Sequence, residues 1–176
     1  MKGLYSFLSD RAIELHREHV AREKHRYSVF KKTYPEISGL DVKEIQRLRI
    51  DPDDKGSILR LYLDILYHEV FFNSFGEPHV CSEKVRERYG SEASFLYEIY
   101  KSAFDMNSGF VVVYNDGIGV EFDNSDKIYG RILKMKSFKP YLAIDLCEHA
   151  YFLDYGFNKA EYLKRALSVL DLGAIE

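Results

Sequence analysis

The hydrophobic period of this chain changes near residue 107, and that change limits the fold more than any other feature. Up to Met106 apolar residues recur at helical spacing; beyond it, Phe110-Val111-Val112-Val113-Tyr114 and Ile118-Gly119-Val120-Glu121-Phe122 form two short runs around Asn115-Asp116-Gly117. Asn and Gly tolerate positive φ, so this turn predicts an antiparallel hairpin. Tyr141 to Leu146, following Pro140, predicts a third strand, and Asn158 to about Leu170 a closing amphipathic helix. The fold class expected is α+β: an N-terminal helical hairpin domain, then a mixed domain with a small three-stranded antiparallel sheet and flanking helices.

Within the helical half, Ser9 or Asp10 caps a predicted helix running to about Thr33, with Ala12, Ile13, His16, Val20, Tyr27 and Phe30 along one stripe. Asp51-Pro52-Asp53-Asp54-Lys55-Gly56 reads as a loop, after which Ile58, Leu61, Tyr62, Ile65, His68 and Phe72 recur at helical spacing. Both His16 and His68 therefore face inward. Phe75-Gly76-Glu77-Pro78 cannot continue a helix, which places a domain boundary there: residues 1–78 with two long helices, then residues 79–176. Cys81 to about Tyr89 and Ser91 to about Met106 are two further predicted helices, the second opened by a Gly90-Ser91 capping signal.

With 176 residues, 46% of them hydrophobic, the chain can bury a core. A net charge of −3 gives no general attraction to nucleic acid or an anionic membrane surface. No apolar stretch is long enough for a signal peptide or a membrane span, and two cysteines, Cys81 and Cys147, make no disulfide framework. The expectation is a cytoplasmic protein with no nucleic-acid or membrane partner.

Asp145-Leu146-Cys147-Glu148-His149-Ala150-Tyr151 sets a carboxylate and an imidazole four residues apart after an apolar strand. Of six histidines, His16, His68 and His149 lie in apolar or motif contexts, while His19, His25 and His79 sit among charges or in a loop. A lone inward histidine is usually a hydrogen-bonded core residue. Three of them beside an inward carboxylate point further, because a metal cation relieves the penalty of burying Asp145. Three imidazoles and one carboxylate suit Fe, Mn or Zn by ligand type alone.

These residues resemble the iron/manganese superoxide dismutases, in which the Asp and His of D-x-W-E-H-A-Y bind the metal. Leu8 to His16 is similar to the family's first-helix segment, and Leu66-Tyr67-His68-Glu69-Val70-Phe71-Phe72-Asn73 to its W-N-H-x-x-x-W-N element. Tyr89-Gly90-Ser91, Asn107-Ser108-Gly109-Phe110 and Tyr162-Leu163 fall in the same order as the family's landmarks. The resemblance implies His16, His68, Asp145 and His149 as ligands of one Fe or Mn ion per subunit, superoxide as substrate, and a homodimer in which Glu148 bonds His149 of the neighbour. His16 rather than His19 is the expected first ligand, since it lies on the apolar stripe; His19 would then occupy a solvated face.

Around the ligands the chain departs from that pattern. Asp64 stands where many iron members have Gln, four residues before His68, from where it can hydrogen-bond solvent at the site. The gateway His and Tyr positions hold Val20 and Lys24, the Tyr that pairs with that His is Phe152, and there is no tryptophan; Leu66, Phe72, Phe110, Cys147 and Leu172 stand in the tryptophan places. Asp64, Tyr27 and Lys24 are the candidates for catalytic roles, Tyr27 as a replacement relay and Lys24 as a cation at the funnel mouth. Two other readings stay open: a metal-binding but catalytically weak or inactive structural member of the fold, and a Zn hydrolase, although the chain has no HExxH.

Overall fold

A computed structural model describes residues 3–76, 81–114, 117–121, 132, 134 and 138–175. Glu77, Pro78 and His79, and the turn residues Asn115 and Asp116, lie outside the described residues. Among the described residues no helix is long and apolar enough to cross a membrane.

Helix α1 (Asp10–Thr33) opens where the capping rule places it: the Ser9 hydroxyl accepts from Ala12 N–H. Its buried face is Ala12, Ile13, His16, Val20 and Tyr27, a stripe set by the 3.6-residue period. Helix α2 (Val42–Arg47) was not anticipated. It has only six residues, held by a capping box in which Asp41 accepts from Glu44 N–H and the Glu44 side chain accepts from Asp41 N–H. Helix α3 (Pro52–Asn73) corrects the expected loop at Asp51–Gly56. Asp51 caps Asp53 and Asp54, and Pro52 takes the first helical position, where its missing N–H leaves no bond unmade. The helical half thus holds two long helices and a short one between them.

Helices α4 (Glu83–Tyr89) and α5 (Glu92–Phe104) are each capped by a serine, Ser82 and Ser91. Gly90 at φ 80° makes the turn between them, a conformation that side-chained residues rarely adopt. Strands β1 (Phe110–Tyr114), β2 (Gly117–Glu121) and β3 (Pro140–Asp145) form an antiparallel sheet in the order β2-β1-β3. Val111 pairs with Val120 on one side and Ile144 on the other. Every residue of β1 is buried, which explains its continuous rather than alternating apolar run. Helices α6 (Glu148–Tyr155) and α7 (Lys159–Ser168) close the chain.

The helical half and the mixed half share one apolar core, with α3 packed on β3. Buried Ser74, just past α3, ties them: its hydroxyl donates to Val70 O at 2.8 Å and accepts from Ala143 N–H on β3 at 2.9 Å. The break at Phe75-Gly76 is stitched to the C-terminal segment through Gly76 N–H to Val169 O and Asp171 N–H to Ser74 O. On the opposite side, Ser9 N–H donates to Asp154 Oδ2 at 2.7 Å, and the Tyr155 hydroxyl donates to Phe7 O. These ties bring α1, α3, the end of β3 and the start of α6 to one place.

Candidate metal centre

Each of those four elements sends one side chain to a common point. His16 comes from α1, His68 from α3, Asp145 from the last position of β3, and His149 from the first turn of α6. Asp145 Oδ2 lies 3.0 Å from His16 Nε2, 3.3 Å from His68 Nε2 and 3.0 Å from His149 Nε2. His68 Nε2 and His149 Nε2 are 3.5 Å apart. All four expected ligands are thus together.

The surroundings aim these donors. Asp145 Oδ1 accepts Cys147 N–H at 2.8 Å, and its carbonyl accepts the Tyr162 hydroxyl at 2.8 Å, leaving Oδ2 for the imidazoles. His68 Nδ1 donates to Asp64 O at 2.7 Å, which leaves the Nε2 lone pair facing the cluster. The His16 ring packs on Phe71 and Phe72, at 4.8 and 5.1 Å between centroids, and His68 packs edge-on against Phe110 at 4.9 Å. Phe72 and Phe110 were anticipated as wall residues; Phe71 was missed, although it is one turn beyond His68 on α3.

Side chains of His16, His68 and Asp145 have no solvent exposure. Yet among the described residues His16 Nε2 and Asp145 Oδ2 make no hydrogen bond, despite their 3.0 Å separation. Buried polar atoms without partners are rare and call for an explanation. Donors converging at this spacing suit a shared cation about 2 Å from each, and the residues present fit such a group.

Electrostatics agree. Burial opposes ionisation of Asp145, but its three imidazole neighbours together hold its carboxyl well below the usual range. Burial lowers the pKa of His16 against the attraction of Asp145. For His68 burial acts the same way, but Asp145 and Asp64 outweigh it and raise the value. Neutral imidazoles around one carboxylate form a donor set for a divalent or trivalent ion.

Asp64 sits beside this set, its Oδ2 3.5 Å from His68 Nδ1, and burial pushes its carboxyl up to about 6. His19 corrects an expectation. Rather than lying on a solvated face, it is about a quarter exposed, its ring stacked on His149 and its Nε2 3.9 Å from Asp64 Oδ2. Burial, then repulsion from His149 and His68, lowers its pKa to about 4. The signal was available: His19 is three residues after His16 and so on a neighbouring face of α1.

Two other candidates are not brought to the cluster. Lys24 pairs with Glu69 at 2.7 Å, and Tyr27 packs on Tyr62 beneath Lys31. Both line a cleft of about 380 Å³ between α1 and α3, with Leu66. Tyr27 lies about 16 Å along α1 from His16 at 1.5 Å rise per residue, so it packs as a core tyrosine rather than a relay beside the ligands. Cys147 caps α6, where its Sγ is 3.4 Å from Gly109 N and burial raises its pKa to about 12. Both cysteines are free.

Outward from the cluster, Glu148 and His149 are exposed. Phe152, Leu153 and Phe157 continue that surface at 43, 56 and 90% exposure.

A model of the family described as iron/manganese superoxide dismutases, C-terminal domain, matches residues 78–176. The superoxide dismutase (Fe) of Plasmodium falciparum is 26% identical over 173 residues, covering 93% of this chain and 84% of the relative. That of Babesia bovis is 24% identical over 173 residues, with 93% and 83% covered. A superoxide dismutase (Mn/Fe) from Porphyromonas gingivalis is 26% identical over 147 residues, with 80% and 76% covered.

Proposed function

The chain belongs to the iron/manganese superoxide dismutases, and from that premise we propose that it disproportionates superoxide at a mononuclear Fe or Mn centre held by His16, His68, Asp145 and His149. One observation carries the reading: three imidazole nitrogens lie within 3.3 Å of one fully buried carboxylate oxygen that makes no hydrogen bond among the described residues. When bound, the metal would supply a one-electron couple for the net conversion of two superoxide anions and two protons to dioxygen and hydrogen peroxide.

The chain's own residues set the terms for that chemistry. Asp145 contributes the single negative charge of the donor set, so the protein does not neutralise a +2 or +3 ion and leaves the centre attractive to an anion. Phe71, Phe72 and Phe110 exclude water from the inner side of the imidazoles. Asp64, partly exposed and 3.5 Å from His68 Nδ1, is placed to bond solvent and tune the potential.

We also propose that two copies pair through α6. Exposed His149 is an unusual condition for a ligand, and it is flanked by Glu148 and an apolar surface of Phe152, Leu153 and Phe157. Pairing would cover all of these and let Glu148 orient the partner's ligand. Sedimentation equilibrium of the metal-loaded protein should give a dimer; a monomer with full metal would remove this part. A cytoplasmic location is supported by the two free thiols, and cell fractionation tests it.

The test of function is metal analysis and a superoxide assay on the same purified protein, repeated on His149→Ala. Bound Fe or Mn with turnover lost in the variant supports the enzyme. A second reading, a metal-holding member with little catalysis, is favoured by Val20 and Lys24 at the gateway positions and by the Lys24–Glu69 pair. Bound metal without turnover would establish it.

A further inference from the structure

Three of the four ligands have no exposure. The open side of the site is formed by the fourth, His149, with Asp64 and His19 beside it, whose side chains are 34, 30 and 26% exposed. His149 is the least supported ligand. It lies in the first turn of a helix of eight residues, and, unlike the other three ligands, burial does not fix its ring.

The His16 ring meets that ring edge-on at 5.0 Å and the His68 ring lies parallel to it at 5.7 Å, but the closest face contact comes from His19. The His19 and His149 imidazoles stack at 4.2 Å between centroids with 25° between planes, and His19 is 5.2 Å from the His68 ring. Its Nε2 is 3.9 Å from Asp64 Oδ2, within ion-pair reach though beyond a direct hydrogen bond. Asp64 in turn takes His68 Nδ1–H on its carbonyl at 2.7 Å and holds Oδ2 3.5 Å from the same nitrogen. A continuous line therefore runs from His68 through Asp64 and His19 to His149.

We propose that His19 and Asp64 form a bracket across the open side of the site, in which His19 is a positioning residue that holds the His149 ring by its face while Asp64 holds His68 by its edge. The inference rests on the four-ligand reading above and goes beyond it, since His19 is not among the four. The physical reason is preorganisation: a ligand free to turn about its side-chain torsions binds metal less tightly than one already aimed, and flat contact with a second ring removes that freedom on the one ligand that burial does not restrain. Contact with the face leaves the ring edge of His149 available to a carboxylate, so the bracket and the proposed Glu148 contact are compatible.

The test uses Co2+ as probe on the metal-free full-length protein, reading affinity by titration and ligand geometry by the visible d–d bands. Variants His19→Ala and His19→Phe separate stacking from any use of the imidazole nitrogens, and circular dichroism checks that both fold. The expected result is one Co2+ per chain in the wild type, affinity about tenfold weaker with altered bands in His19→Ala, and near-recovery of both in His19→Phe. An alanine variant with unchanged affinity and bands would overturn the proposal, as would a phenylalanine variant no better than alanine. Wild-type protein that takes up no Co2+ would instead overturn the four-ligand reading, and the bracket with it.

Discussion

The inner and outer walls of the ligand cluster are held by different means. His16, His68 and Asp145 are fully buried on elements with multiple anchors: a serine-capped α1, an aspartate-capped α3, and a strand end pinned by Tyr162 and Cys147. His149, His19 and Asp64 keep partial exposure, with a stacking contact and a 3.9 Å gap where the inner wall has hydrogen bonds of 2.7 and 2.8 Å. His16, His68 and Asp145 stand where the resemblance places ligands, whereas Asp64, on the outer side, departs from it. Buried ligands are thus held by hydrogen bonds and packing, whereas the exposed ligand His149 depends on ring contact for its aim. The inner wall should carry most of the hold on an ion, with the outer wall adjusting it.

If that division is right, the largest effect comes from the inner wall. Asp145→Ala removes the only charge among the donors, and its loss should weaken metal binding by about 3–5 kcal/mol, two to four orders of magnitude, read by competition with a chelator of known affinity. Retained metal in that variant would break the comparison at its strongest point. Tyr162→Phe removes one hydroxyl and leaves the buried Asp145 carbonyl without that donor. It should cost about 1–2 kcal/mol in urea unfolding and loosen metal retention, because the strand end that carries the carboxylate loses a backbone anchor.

Acid sharpens the outer side. Burial holds the folded-state pKa of His19 at about 4, below its ordinary 6.5, so between those values the unfolded chain binds a proton that the folded chain does not. Stability of the metal-free protein should therefore fall as pH drops from 7 to 5, by about 1 kcal/mol for this residue after discounting for its partial exposure. His16, also lowered by burial, acts in the same direction, and His68, whose value is raised, acts against it. Urea unfolding of wild type and His19→Ala at both pH values isolates the His19 share, and equal losses in the two would count against its burial.

Ser9→Ala, at the cap of α1 and remote from the ligands, should cost about 1 kcal/mol of stability with metal affinity unchanged. The smallest effect is expected of Lys24→Ala. Its half-exposed pair with Glu69 is worth less than about 1 kcal/mol, and turnover should be nearly unaffected. A steep loss of turnover at low ionic strength would move Lys24 into the outer wall as an electrostatic guide.

Much of the inner wall was legible in the sequence because it follows local rules. The serine caps, the stripes carrying His16 and His68, the β-runs and the Asp145–His149 spacing are each decided within a few residues. What was missed depends on partners distant in sequence or on competition between local signals. Asp51-Pro52 reads equally as a turn and as a helix start, and here the aspartate cap and the proline at the first helical position win. Helix α2 shows only as Asp41 and Glu44 three residues apart, too short a segment for periodicity to reveal. His19 lies on the edge of the α1 stripe, and only the docking of α6 against α1 gives its ring something to stack on. Tyr162 was legible as a landmark, but not as the donor to a carbonyl seventeen residues earlier.

The proposed function requires one ion among His16, His68, Asp145 and His149. The direct measurement is the Fe and Mn content of chain loaded with either metal and then desalted, wild type beside His16→Ala, with folding of both verified by circular dichroism. The expected result is one Fe or Mn per wild-type chain and almost none in a folded variant. A folded His16→Ala protein that keeps one ion per chain, or a wild type that retains neither metal, would contradict it.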